Sequence, residues 1–552
     1  RHKVFDRLVG TEKTRLDRAI LDHLLHMTFL QSDERSEPES DLILIPDPDQ
    51  ETIRRILSPY RFKDVRAAYQ NLSSLAREAV PFLSHRRCRH FLASIAPQLL
   101  RTVAETPDPD QTLNHLDRVT SSLGAKAVLY ELFSYNPASL KLYVDICASS
   151  PYLAAILTTN PGMIDELLDS LILDQPRTRE ELSTELAELL RGASDPEPIL
   201  HSFQDKELLR ISVRDLLGRD DIRETTRALS DLADTILNAV FDQVEARSLV
   251  CQADDAGNHL GCRYVVLGLG KLGGQEISYH SDLDLVVLYD CGSASPSHAA
   301  GLHDTECVPP RQAIAQARYF TQLTQQVIRW MTQSGPLGRL YEVDMRLRPT
   351  GKSGSLAIPL AEFERYFSPG GGGDLWERQC LTRARIVRGD PHFASEVLRV
   401  VHSAIHAARD VPELPDQVWR MREKLEASAR PRSLKRGPGG IVDVEFVVQL
   451  LQIKYGSKHP TILQPNLWDA LEAIAAAGII ARDQAEVLLR GYSFLRRAEA
   501  RLRVMTDRLL TELPESLEEQ EKLARRLGYE SDRDRPAVSR FTEDLSQVTQ
   551  QI

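Results

Sequence analysis

Apolar residues recur at helical spacing over most of the chain. Val4, Leu8, Leu16, Ile20 and Leu24 do so across residues 1–30, and the following stretch 32–50 is rich in Ser, Glu, Asp and Pro, a linker composition. From 52 to 240 the helical period is nearly continuous, with Leu92, Ile95 and Leu99 on one face and Leu140, Tyr143, Ile146 and Cys147 on another. Pro107, Pro109, Pro151, Pro161, Pro196 and Pro198 cut that run into several helices. The period changes at Arg263. Arg263–Leu269 reads as a buried strand, Gly270–Gly274 as a turn, and Ser281–Asp290 as a second strand. An amphipathic helix over roughly 311–334 separates these from a third strand, Arg339–Leu347, and the remainder of the chain is helical again, with Leu488, Tyr492, Leu495 and Leu502 in one stripe.

The predicted fold class is therefore α+β and multidomain, a small mixed-sheet module between two mainly helical regions. The expected divisions are residues 1–59 (helix and linker), 60–248 (helical domain), 249–392 (mixed catalytic module) and 393–552 (C-terminal helical domain).

Candidate chemistry sits in the mixed module. Asp282 and Asp284 are two positions apart in a strand, so their side chains share a face. Asp344 lies in the third strand between Val343 and Met345, where an apolar residue is the default. Taken singly, Asp282 is accounted for by a helix cap and Asp284 by a solvated edge position. If the strands pair, the three carboxylates converge, and neighbouring carboxylates repel each other unless a cation sits among them. Oxygen ligands of this kind favour Mg²⁺, and two such ions can clamp the attacking and leaving oxygens of an in-line displacement at phosphorus.

Shortly before Asp282 comes the glycine turn, in which Gly270, Gly273 and Gly274 allow backbone N–H groups close to phosphate oxygens and Lys271 adds charge. It is not a P-loop, because the G-x-x-x-x-G-K-[ST] order is absent. Arg346 and Arg348 alternate with Asp344 and are expected to share its face, holding a triphosphate or orienting the carboxylate, and Lys352 follows in a glycine-bearing loop. Arg383 and Arg385 fall in a segment beginning at Trp376 that reads as helical, and Lys435–Gly440 is a second basic glycine loop ahead of a helix carrying Asp443 and Glu445. For these outer residues a structural ion pair and a functional role are equally open.

Composition narrows the choices. The chain has 552 residues, 42% hydrophobic and 27% charged, which excludes collagen-like or wholly disordered organisation. A net charge of -11 weighs against nucleic-acid binding by phosphate neutralisation, hence against a template-dependent polymerase. No run of about 18 apolar residues is present to span a bilayer as a helix. Seven scattered cysteines with no C-x-x-C pair are expected to be reduced thiols in a cytoplasmic protein. The chain starts at Arg1 without a leader and is read as a piece of a longer protein.

The motifs at 268–274 (GLGKLGG), 281–284 (SDLD), 343–349 (VDMRLRP) and 439–446 (GGIVDVEF) resemble the signatures of the glutamine synthetase adenylyltransferase family, and Trp376–Gln379, Arg383–Arg385 and Phe203–Leu217 extend the likeness. The resemblance implies the nucleotidyltransferase fold of the DNA polymerase β superfamily, with Asp282, Asp284 and Asp344 as catalytic and metal-holding residues and Gly270, Lys271, Gly273, Gly274, Ser281, Arg346, Arg348 and Lys352 as the nucleotide site. It further implies Mg²⁺, as a pair of ions, with ATP as substrate, glutamine synthetase as protein substrate, and glutamine and the PII protein as effectors. Members carry two homologous halves, one removing AMP from glutamine synthetase by phosphorolysis and one attaching it. A single module is present, and Cys147–Ser150, Asp165–Leu168, Ser281–Asp284 and Tyr341–Asp344 resemble the second, adenylylating half and its approach. AMP removal, uridylylation of PII and a non-catalytic nucleotide sensor are the rival readings.

Overall fold

The computed structural model describes residues 37–78, 83–164, 176–252, 262–291, 310–506, 508–532 and 534–552. The helix expected over 1–30 and the motif at 165–168 lie outside these residues. Where the 32–50 stretch is described, it is not linker throughout. Pro38–Leu44 is a helix whose Leu42 and Ile43 are buried, and it is tied to the helix His85–Glu105 by hydrogen bonds from Ser40 Oγ to the Ala93 carbonyl (2.7 Å) and from Arg89 Nε to the Ile43 carbonyl (2.8 Å).

Helices then follow one another up to Ile222–Gln252. Their starts are set locally: the side chains of Asp49, Asp64, Ser84, Asp108, Asn136, Ser150 and Thr178 accept hydrogen bonds from first-turn amides. Pro109, Pro137 and Pro151 occupy first-turn positions, where a missing N–H costs nothing. Pro97 is the exception and sits inside the helix His85–Glu105. Leu92, Leu100, Val103, Leu113, Val119, Val144 and Leu157 form the interior of this helical region.

Among the described residues five strands form the sheet: β1 (Arg263–Gly268), β2 (Leu283–Asp290), β3 (Val343–Asp344), β4 (Ala357–Pro359) and β5 (Arg385–Gly389). The order is β3-β2-β1-β5, with β4 also on β2; β1 is antiparallel to β2 and β5, while β3 and β4 run parallel to β2. Both faces are covered. Val266, Val287 and Leu285 pack among the helices Ile222–Gln252 and Pro310–Thr332, whereas Val265, Leu267, Val286 and Leu288 meet Phe363, Phe393, Val397 and Val401. Double burial explains why β1 and β2 read as continuous apolar runs.

Four expectations are corrected here. The third strand spans two residues, not Arg339–Leu347, because the chain turns immediately after Asp344. Gly270–Gly273 is a short helix rather than an open turn. The segment from Trp376 is α-helical to Cys380 and continues as a 3-10 turn through Arg383, but Arg385 opens β5. The cysteines are not all free thiols: Cys262 and Cys291 form a disulfide. The β1–β2 register pairs Arg263 with Asp290, which places residues 262 and 291 opposite each other at the strand ends.

The C-terminal helices Ile441–Tyr455, Leu467–Ala476, Arg482–Thr506, Leu517–Arg526 and Ala537–Gln551 share the core of one sheet face through Val444, Leu471, Leu495, Leu502 and Phe541. Among the described residues no single helix is long and apolar enough to cross a membrane.

Arg501, buried on the helix Arg482–Thr506, grips Asp215 at the end of the helix Glu197–Leu216 through both carboxylate oxygens and donates to its carbonyl (3.0 Å). Tyr279 adds a hydrogen bond to the same carboxylate (3.1 Å). Replacing Arg501 by Ala strands a buried carboxylate, so Arg501→Ala should lower stability by roughly 3–5 kcal/mol, read as a fall in the urea midpoint.

Candidate active site

The parallel pairing of β2 with β3 sets Asp284 opposite Asp344, and a hydrogen bond from the Leu283 amide to the Glu342 carbonyl (2.9 Å) holds the start of the pair. Asp282 immediately precedes β2, two positions before Asp284. All three carboxylates line one cleft of about 1080 Å³, together with Gly270, Lys271, Ser281 and Arg346. That volume suits a nucleotide-sized ligand.

Crowding of like charge has an electrostatic consequence. Burial, then the Asp282 and Asp344 carboxylates, push the Asp284 carboxyl up to about 7. Asp344 goes the other way: burial would raise it, but hydrogen bonds from Arg346 Nε (2.7 and 3.0 Å) and the Arg346 amide (2.8 Å) hold it below the ordinary range.

Gly270 is required by this packing. Its φ is +52°, and a Cβ there would overlap the Asp284 carboxylate. Gly273 and Gly274 serve a different purpose from the one expected. Their amides bond within the short helix, to the carbonyls of Leu269 (2.8 Å) and Gly270 (3.2 Å), and a side chain on either would strike Arg383. They allow close approach of Arg383 and do not line the cleft.

Lys271 is committed to an ion pair. Its ammonium lies 2.9 Å from Glu499 on the helix Arg482–Thr506, and the same carboxylate takes Arg503 (2.8 Å) and Arg496 (3.2 Å). Burial, with Arg496, Arg503 and Lys435 nearby, drives the Lys271 ammonium well below its ordinary value while Glu499 draws it back up. Burial alone would raise the Glu499 carboxyl, but Lys271, Arg503 and Arg496 outweigh it and keep this carboxylate ionised. Arg503 also donates to Ser281 Oγ (3.1 Å) and the Tyr279 carbonyl (3.3 Å). One turn behind, Glu276 is fully buried and accepts from Arg383 (2.9 Å), Tyr492 and the Leu467 amide (2.7 Å). The segment from Gly270 to Ser281 is thereby clamped from the C-terminal side.

Arg348 and Lys352 are not brought into the cleft. With β3 ended at Asp344, Arg348 turns inward and is buried, donating to the carbonyls of Met345 (2.6 Å) and Gly354 (3.2 Å), so it staples the loop and does not share the face of Asp344. Lys352 is exposed on that loop. Arg385 is likewise structural, paired with Asp234 (2.7 Å), and Asp443 is paired with Arg422 (2.7 Å).

Lys424, Arg430, Gln449 and Arg503, which motif reading passed over, also line the cleft, beside Trp376 and Gln379 of the matched stretch and Lys435, Arg436 and Glu445 from the basic loop and its helix. The buried trio Arg496, Glu499 and Arg503 left a readable signal. Charges at i, i+3 and i+7 occupy the same helix face as Tyr492 and Leu495, where apolar residues are the rule.

Among the described residues no group of three His, Cys, Asp or Glu side chains is already gathered tightly enough to hold an ion. The donor set nevertheless fits a hard divalent cation. It offers only oxygens, and the Asp284 carboxylate, with no hydrogen bond of its own among the described residues, sits beside two like charges.

Fold and site together define a class, a mostly helical protein whose small mixed sheet presents three carboxylates to a nucleotide-sized cleft. Residues 140–400 match the family model of glutamate-ammonia ligase adenylyltransferase, and residues 418–552 match that of GlnD PII-uridylyltransferase. The chain is 32% identical over 488 residues to the bifunctional glutamine synthetase adenylyltransferase/adenylyl-removing enzyme of Thioalkalivibrio sulfidiphilus, which covers 85% of this chain and 49% of that protein. It is 30% identical to the proteins of the same name from Pseudomonas aeruginosa (82% of this chain, 48% of the relative) and Chromobacterium violaceum (91% and 53%). The chain belongs to the glutamine synthetase adenylyltransferase family. It spans about half the length of these curated relatives.

The folded chain keeps the Asp284 proton up to about pH 7, whereas an ordinary aspartate releases it near 3.8. Stability of the chelator-treated protein should therefore fall as pH rises between these values, by up to about 4 kcal/mol from this group. Asp284→Asn should flatten that slope, so thermal melts in EDTA show the variant ahead of the parent at pH 8 and level with it near pH 4.

Proposed function

We propose that this chain transfers AMP from ATP to a tyrosine hydroxyl of glutamine synthetase, releasing pyrophosphate, and thereby regulates nitrogen assimilation. The observation that carries the reading is the placement of Asp282, Asp284 and Asp344 on one wall of a single cleft, in a chain of this family. The β1–glycine helix–β2 unit, with its D-x-D pair at the start of β2 and a third Asp on the neighbouring strand, supports assignment of the module to the nucleotidyltransferase fold of the DNA polymerase β type. The variants at 281–284 and 341–344 support the adenylylating half.

In the reaction the tyrosine oxygen forms a bond to the α-phosphorus, the bond from that phosphorus to the bridging β oxygen breaks, and pyrophosphate leaves with the electron pair. A phenol of pKa near 10 must lose its proton as it attacks. Asp344 is the nearest candidate acceptor on β3, and Arg346 must release it before it acts in that role or joins the other two carboxylates. Asp282, Asp284 and Asp344 would hold Mg²⁺, two ions on this reading, which when bound would neutralise charge at the phosphates. Glutamine synthetase is the protein substrate on this reading. PII protein and glutamine are its effectors, and the match of 418–552 to a PII-uridylyltransferase supports a PII-facing role for the C-terminal helices. The setting is the cytoplasm.

With glutamine synthetase, Mg²⁺ and labelled ATP, the chain should add one AMP per subunit, detected by mass spectrometry, and UTP should compete poorly. Asp284→Ala should reduce the rate by about a hundredfold or more, the scale of losing one preorganised electrostatic group. Near-parental transfer by that variant would remove the carboxylates from the mechanism. Adenylylated glutamine synthetase with phosphate should give little ADP; rapid ADP release would assign the chain to the AMP-removing half, a direction the relatives' shared name also includes.

A further inference from the structure

The cations that line the nucleotide cleft fall into two groups. Lys271, Arg346, Arg383 and Arg503 are each taken up by a carboxylate: Glu499, Asp344, Glu276 and Glu499 respectively. Lys424, Arg430, Lys435 and Arg436 line the same cleft and make no ion pair among the described residues. The second group belongs entirely to the helix Leu414–Ala427 and the loop after it. Of the four, Lys435 is half-buried and close enough to act on both Asp284 and Lys271.

The loop that carries Lys435 is built to hold it in place. The Leu434 amide bonds the Thr511 carbonyl (2.8 Å), while the amides of Ile441 and Val442 bond back to the carbonyls of Leu434 and Lys435 (3.0 Å each). Gly439 adopts φ +64° where a side chain would overlap the Thr549 carbonyl on the last helix, so the loop is pinned at both ends. A partly buried ammonium with no ion-pair partner is left free to bind an anion entering the cleft.

We propose that Lys435, with Arg436 beside it, contacts the β- and γ-phosphates of the bound nucleotide and balances the charge that develops on the departing pyrophosphate, in place of the already paired Lys271. This rests on the transferase reading above. It makes the cleft composite, with carboxylates from the segment matched by the adenylyltransferase family and phosphate-binding cations from the segment matched by the PII-uridylyltransferase family.

The test is calorimetric titration of the full chain with three probes in Mg²⁺ buffer: ATP, inorganic pyrophosphate and AMP. Lys435→Met should weaken ATP and pyrophosphate at least tenfold and AMP less than twofold, because AMP lacks the phosphates in question. Lys435→Arg should stay within about threefold of the parent for all three. Lys458→Met, the same loss of charge at an exposed position outside the cleft, should change nothing. A melting curve confirms folding, and Lys435→Gln replaces the Met variant should the latter fail to fold. If the parent binds ATP and pyrophosphate while Lys435→Met and Lys435→Gln bind them equally well, or lose AMP in proportion, the assignment of Lys435 is overturned and the transferase reading stands. If the parent binds neither ATP nor pyrophosphate, the transferase reading fails and takes this assignment with it.

Discussion

Asp284 and Asp344 face each other across a parallel strand pair, and the rest of the site is arranged around the repulsion this creates. Gly270 must lack a side chain for the Asp284 carboxylate to fit, and Arg346 hydrogen-bonds Asp344 and holds that carboxylate below its ordinary range. A buried carboxylate driven toward neutrality is a poor stabiliser of the fold. Its retention makes physical sense where a divalent ion or a phosphate-bound cation completes it.

Positive charge in the same region is divided by location. On the sheet side, Lys271, Arg496 and Arg503 converge on Glu499, and Arg383 on Glu276, so burial is compensated by pairing and hydrogen bonding. These pairs lock the segment from Gly270 to Ser281 against the helix Arg482–Thr506, which fixes the approach to Asp282 and Asp284. Lys424, Arg430, Lys435 and Arg436 line the same cleft and have no such partners among the described residues. An anionic ligand whose charge is distributed along its length suits that field better than a neutral one.

The clamp has a consequence for how the two matched segments work together. The carboxylates come from the part that matches the adenylyltransferase family, while Glu499, Arg503 and Lys435 come from the part that matches the PII-uridylyltransferase family. The C-terminal helices therefore form part of the cleft wall and part of its electrostatic balance. Any displacement of the helix Arg482–Thr506 would disturb Lys271 and Ser281 directly, through Glu499 and Arg503.

Local pattern determined a good deal by itself. The alternation of helix and strand, the D-x-D pair, the isolated Asp344 and the proline breaks all depend on neighbours within a few positions, and the helix Pro310–Thr332 falls close to where periodicity sets it. Tertiary structure decided what long-range pairing controls. Whether Arg348 faces the cleft depends on where β3 stops, and whether Cys262 meets Cys291 depends on the β1–β2 register. Whether Lys271 is free depends on Glu499, 228 positions away. A residue's charge is written in its side chain, but its counter-charge is chosen by the fold. Local spacing therefore singled out the acidic groups that the fold gathers in one cleft, and only packing revealed which cations there have no ion-pair partner among the described residues.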